Sequence, residues 1–233
     1  MAKTTYKKSF KYKETNCSII SDNKKAITSA INSIKDHRRK IEQYIKNNPI
    51  FLHSLKPIIV EKEPLVVRLM AEAAKMANVG PMAAVAGVLA DLAVEKLKKT
   101  GCNIAVVENG GEISAISNQP IDVALVAGDS QLSRRFGFRL KNFPLGIATS
   151  SGLFSHALSF GKSEATTIFA KNAGLADAAA TAVANLIKGK NKRLVIKKGI
   201  DEALSIDGVE GVLIIFGGIV GTAGKIPQII QIS

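Results

Sequence analysis

LADAAATAVANL, residues 175–186, sets one carboxylate into a run of small apolar residues. Alanine is the strongest helix former, and little in the stretch opposes a helix. Asp177 and Thr181 stand four residues apart, so a helix places carboxylate and hydroxyl on one face. That face is otherwise made for burial. The residues allow two readings. In the first, Asp177 is an acid near a helix start capped by Asn172, complementing the helix dipole, while Thr181 bonds the carbonyl one turn back. In the second, the pair offers hard oxygen donors of the kind that hold Mg²⁺ together with a substrate phosphate.

The chain has 233 residues, 46% of them hydrophobic and 22% charged, with no Trp. This is the composition of a globular domain whose core is built from Ala, Val, Ile and Gly. The net charge is +13, and residues 1–48 hold ten Lys and two Arg against two Asp and two Glu. Such a basic N-terminal third suits an acidic partner or nucleic acid. No RNP-type aromatic motif, zinc finger or helix-turn-helix accompanies it, and a solvated lysine-rich surface is the simpler reading. Cys17 and Cys102 are too few for a disulfide scaffold or a cysteine metal site. With no recognisable signal peptide, a reduced, cytoplasmic setting is expected. The apolar runs 79–90 and 211–224 are short or broken, so no membrane span is expected.

Around the opening helix the period of the apolar pattern changes several times. Residues 6–14 alternate aromatic and basic side chains as a strand does, with NCSIISD as a hairpin partner. Asp22 is the expected N-cap of a helix to about Asn47, with Ile27, Ile31, Ile34, Ile41 and Ile45 as its stripe and Pro49 as its stop. Two further helices fit Pro64–Asn78 and Met82–Lys99, the second ending at Gly101. Strands follow in NIAVVEN, EISAIS and IDVALVAG, then in GIATSSG, EATTIFAK and VEGVLIIFGG. Helices in an early block with strands mixed in later predict an α+β architecture. A single domain over 1–233 is expected, with a basic hairpin-plus-helix part (1–60) and a motif-bearing core (80–190).

Three constellations are candidates to carry chemistry. VENGGEI (107–113) reads as a tight hairpin turn at Asn109-Gly110. Its glycines also let backbone amides approach a phosphate, and Glu108 and Glu112 flank it. GIATSSG (146–152) places Thr149, Ser150 and Ser151 ahead of Gly152, either as an anion-binding loop or as a polar turn. His156 follows with no orienting acid nearby in sequence, so a Ser-His hydrolase is poorly supported. The Asp177/Thr181 pair is the third. GGIVGTAGK near the C-terminus fails as a phosphate loop, because Ile219 stands at the first glycine position and Ile226 follows the Lys.

Taken in order, GPMAAVAG, VENGGEI, TSSG, LSFGK and ADAAATAVAN resemble the ApbE-like superfamily, whose best-known members are magnesium-dependent flavin transferases. The resemblance covers roughly residues 80–190 and is closer still to an ApbE-like family of archaea and anaerobic bacteria. It implies an α+β fold of two intimately packed subdomains with a cleft between them. It implies Mg²⁺ held by Asp177, Thr181 and a main-chain oxygen near Ala84, with Asp177 also the catalytic group of a transferase. FAD or FMN, as a phosphate-bearing ligand, would then be bound by Asn109, Gly110, Gly111, Glu112, Thr149, Ser150, Ser151, Gly152 and His156. The sequence departs from the transferases in three places. Ala86-Gly87 stands where they carry Lys-Gly, GGE replaces GGD, and the histidine segment after TSG is shortened. The resemblance also points loosely to an accessory role in sulfur assimilation and homocysteine formation.

Overall fold

The computed structural model describes residues 4–124, 136–151 and 163–231. Its first element is the hairpin of β1 (Tyr6–Tyr12) and β2 (Thr15–Ser21), followed by α1 (Lys24–Asn47) and the short α2 (Ile50–His53). α3 (Leu65–Met76) leads through a 3₁₀ turn (Pro81–Ala84) to α4 (Val85–Lys99). Strands β3 (Ile104–Asn109), β4 (Glu112–Ser117), β5 (Ile121–Ala124), β6 (Phe136–Leu140), β7 (Leu145–Ser150) and β8 (Ala165–Ala170) come next. α5 (Ala173–Leu186), α6 (Lys192–Ser205), β9 (Val209–Phe216), β10 (Ile219–Gly224) and β11 (Gln228–Gln231) complete the order.

Eight strands form one sheet in the order β1-β2-β3-β4-β7-β8-β9-β10, and β11-β6-β5 form a second. Every pairing among the described residues is antiparallel, as suits an α+β fold. The alternation of side chains along each strand gives the large sheet two buried faces. Ala148, Ile168, Val212 and Ile214 face the helices, and Ala105 and Val107 do the same beside α1 and α4. Ile104, Val106, Ile147, Phe169, Leu213 and Ile215 face the small sheet, where Phe138 and Leu140 meet them. Small core residues allow the close approach: a Cβ on Gly87 would lie 2.1 Å from the Ala173 carbonyl oxygen.

Several boundaries differ from expectation for local reasons. Asn23, not Asp22, caps α1, its Oδ1 accepting from the amides of Lys25 and Ala26 at 3.0 and 3.3 Å. Asp22 instead accepts from the amides of Asn103 and Ile104, fastening the start of β3 to the end of β2. The helix expected from Met82 begins as a 3₁₀ turn and becomes α-helical at Val85. Within RRFGFRLKNF, read without an assigned element, Phe136–Leu140 form β6; α2, α6, β10 and β11 are likewise additions to the expected set. No single described helix is long and apolar enough to cross a membrane.

Candidate ligand and metal site

The opening stretch is helical, and its Asp177 is not a first-turn acid. Asn172 caps α5, its Oδ1 accepting from Leu175 N at 2.8 Å, which puts Asp177 in the second turn. There its Oδ2 accepts from Gly87 N at 3.0 Å. The donor is reachable because α4 and α5 cross with backbone near backbone at Gly87, where any side chain would meet Ala173. The crossing is reciprocal. Asp91 of α4 accepts from Ala173 N at 2.9 Å and Gly174 N at 2.8 Å, the first amides of α5. Free amides at a helix start carry partial positive charge, and each carboxylate is set against the other helix's start.

Asp177 lines a cavity of about 720 Å³, and Thr181, one turn away, lines it too. The β3–β4 turn forms another wall. Gly110 and Gly111 adopt left-handed φ of 72° and 118°, and Gly111 N donates to Glu108 Oε1 at 2.9 Å. Both glycines, Glu108 and Glu112 line the cavity. Thr149 and Ser151 line it from the end of β7, with Thr149 Oγ1 2.9 Å from Thr167 Oγ1. Apolar walls come from Ile20, Val106, Ile113, Ile147 and Phe138. The volume and the mix of apolar walls with a few convergent polar groups are those of a small-molecule site.

Three candidates stand elsewhere. Asn109 is buried and donates its Nδ2 to the Ala86 carbonyl at 2.9 Å. It is not among the residues lining the cavity, and it ties the glycine turn to the start of α4. Ser150 is half-buried beside the wall residues Thr149 and Ser151. Ala84 is buried, while its neighbours Met82, Ala83, Val85 and Ala86 line the cavity. Gly152 and His156 lie outside the described residues.

The electrostatics of the cavity run against those of the whole chain. Glu14, Glu108, Glu112, Asp122 and Asp177 line it, against Lys7 as the lysine or arginine among the described lining residues. Asp122 is held by Arg139 through two bonds at 2.8 and 2.7 Å, and Glu14 is paired with Arg38. Burial pushes Asp177 up to about 7, against the pull of the Gly87 and Ala86 amides and with a further push from Asp91. Burial, and then the charge of Asp177, hold Glu112 well above the ordinary carboxylate range. Burial also raises Glu108. Lys7, Glu14 and Asp122 had no local signature. They reach the wall from the N-terminal hairpin and the small sheet, which only tertiary packing brings there.

The donor chemistry fits a hard divalent cation. Asp177 and Thr181 offer carboxylate and hydroxyl oxygen on one helix face, and Glu112 adds a second carboxyl group to the same cavity. Among the described residues, no group of three His, Cys, Asp or Glu is arranged to hold a metal.

The eight-stranded antiparallel sheet between a helical layer and a small sheet is a fold shared with solved ApbE proteins. The ApbE protein of Thermotoga maritima superposes with a TM-score of 0.69 at 14% identity, covering 94% of this chain and 97% of that one. The apo flavinyl transferase ApbE of Pseudomonas stutzeri superposes at 0.65 and 14% identity, covering 95% of each chain. The family model described as AbpE bacteria matches residues 2–207, and the chain belongs to this ApbE-like family. A UPF0280 protein of Methanococcus maripaludis is 43% identical over 94% of this chain and 90% of its own length. One from Methanocaldococcus jannaschii is 38% identical over 97% and 93%.

Proposed function

We propose that the cavity binds a phosphate-bearing ligand, with a flavin dinucleotide as the leading candidate, together with Mg²⁺. The observation that carries this is Asp177, held by the Gly87 amide in the wall of a 720 Å³ cavity that Gly110 and Gly111 also line. The fold neighbours that bear the name flavinyl transferase support the ligand class. In this reading Asp177, Thr181 and a main-chain oxygen near Ala84 hold the metal. Bound there, Mg²⁺ supplies charge neutralisation to phosphate oxygens.

The chain's own residues do the rest. The glycine turn brings backbone close to the ligand without a side chain in the way. Thr149 and Ser151 present hydroxyl oxygens to its polar end, and the walls around Phe138 and Ile147 take an aromatic ring. At Ala86 the wall has a methyl group where the transferases carry lysine, so the reading extends to binding and not to flavin transfer itself. Calorimetry with FAD and with FMN, each with and without Mg²⁺, tests it. Metal-dependent binding of a flavin, lost in Asp177→Asn, is the expected result. No heat and no yellow co-purifying chromophore under any of these conditions would overturn it.

A further inference from the structure

The register of the large sheet brings the N-terminal hairpin to the ligand cavity. Lys7 of β1 stands opposite Ile20 of β2, and Ile20 stands opposite Val106 of β3. Directly opposed residues share one face of a sheet, and Lys7, Ile20 and Val106 all line the 720 Å³ cavity. Two residues further on, the same face carries Ser9, Ser18, Glu108, Ile113 and Ile147 in one row across the strands. Ser9 Oγ lies 3.0 Å from Ser18 Oγ, and Glu108 Oε1 accepts from Gly111 N at 2.9 Å. That row reaches from the edge strand to the glycine turn. Lys8 belongs to the opposite face, across from Ile19, which is buried in the core beside α1 and α4.

Charge singles out Lys7 on this wall. It is the one lysine or arginine among the described lining residues, against Glu14, Glu108, Glu112, Asp122 and Asp177. Glu14 and Asp122 have their own cations in Arg38 and Arg139. Among the described residues no ion pair engages Lys7. Its charge is felt at the glycine turn: burial raises Glu108, and the Gly111 amide and the Lys7 charge pull against it.

Resting on the reading of this cavity as a phosphate-ligand site, we infer that Lys7 is its phosphate-binding cation, so that the N-terminal hairpin selects a phosphorylated ligand over its unphosphorylated form. A ligand with two phosphoryl groups brings more than one negative charge, and a metal at Asp177 and Thr181 is a single centre of positive charge. Enclosing the remaining charge beside Glu108 and Glu112 without a further cation is costly. Ala86 offers only a methyl group, so the cation comes from β1. A lysine suits the task, as a compact ammonium with three donors on a flexible four-carbon stem.

Calorimetry on the full chain in Mg²⁺ tests this, with inorganic pyrophosphate, FAD and riboflavin as probes. Lys7→Met removes the charge and keeps most of the stem. Pyrophosphate and FAD are expected to bind this variant about tenfold or more weakly, while riboflavin, which has no phosphate, shows no loss. Lys8→Met, on the other face of β1, is expected to match wild type. Unchanged pyrophosphate and FAD affinity in Lys7→Met, an equal loss in Lys8→Met, or a riboflavin loss as large as that for FAD overturns the assignment. Pyrophosphate separates this inference from the flavin reading. A wild type that takes pyrophosphate and no flavin removes the flavin and leaves Lys7 in place if Lys7→Met loses pyrophosphate. A wild type that binds flavin, with no change in Lys7→Met, removes Lys7 alone. A wild type that binds neither removes both.

Discussion

Asp91 and Asp177 cap each other's helices. Asp91, on α4, receives the amides of Ala173 and Gly174 at 2.9 and 2.8 Å, and Asp177, on α5, receives the amide of Gly87 at 3.0 Å. The two carboxylates have the same bonding logic and different surroundings. Asp177 opens onto the 720 Å³ cavity, whereas Asp91 borders a smaller one of about 350 Å³ on another side of the crossing.

That difference separates their roles under mutation. Asp91→Ala removes the acceptor of two amides at the start of α5, and leaving buried donors unpaired costs about 1–3 kcal/mol each. Its urea midpoint is expected to fall clearly below wild type. Asp177→Asn keeps an acceptor for Gly87 N and is expected to stay within about 1.5 kcal/mol of wild type while losing Mg²⁺ binding. Equal stability losses in the two variants would contradict this division.

Protonation of Asp177 sets a pH dependence with a definite sign. Burial raises its pKa to about 7 from 3.8, so between these values the folded state holds a proton that the unfolded chain has released. The stabilisation from this group is complete below the unfolded value and is lost as pH rises through about 7. Metal binding needs the carboxylate, so Mg²⁺ affinity rises about tenfold per pH unit below 7 and levels off above it. Melting curves in EDTA and in Mg²⁺ between about pH 5 and 8, with Asp177→Asn as reference, check both slopes.

The acidic lining makes ligand and metal interdependent. A phosphate entering beside Glu108, Glu112 and Asp177 meets Lys7 as the basic side chain among the described lining residues. Chelating the metal is therefore expected to weaken FAD binding at least tenfold, a coupling of about 1.4 kcal/mol or more. Calorimetric titrations with and without EDTA measure it. Ala86→Lys puts a second cation on the wall and is expected to shrink that dependence.

The helix crossing tolerates no side chain at Gly87. A methyl there would overlap the Ala173 carbonyl, at 2.1 Å, and would push apart the helices that position Asp177. Overpacking of a close-packed interior costs about 1–3 kcal/mol, and the displaced Gly87–Asp177 bond adds to it. Gly87→Ala is expected to lower the melting temperature by several degrees, read by calorimetry, and to reduce Mg²⁺ affinity even where the protein stays folded.

Much of this was legible in local pattern. The isoleucine stripe of α1 faces the core as its spacing requires, with Ile27, Ile31, Ile34 and Ile41 buried. Gly110 and Gly111 occupy the left-handed conformations that a two-residue turn demands. Asn172 caps α5, as a side-chain acceptor before a helical run should. Less was legible where apolar signal is thin. α6 buries only Ile196, Gly199 and Ala203, too sparse a stripe to announce a helix, and β10 is half glycine and alanine.

By itself, the sequence determined the elements whose physics is local: helix periods, caps, glycine turns, and the placing of Asp177 and Thr181 on one face. It could not say that Asp177 bonds an amide ninety residues earlier, or that Asn109 bonds the Ala86 carbonyl. Nor could it show that, among the described residues, five acids and one lysine line the same cavity. Those outcomes depend on which surfaces meet when helices and sheets pack, and burial against distant groups, not residue type, sets the charge and partners of each side chain.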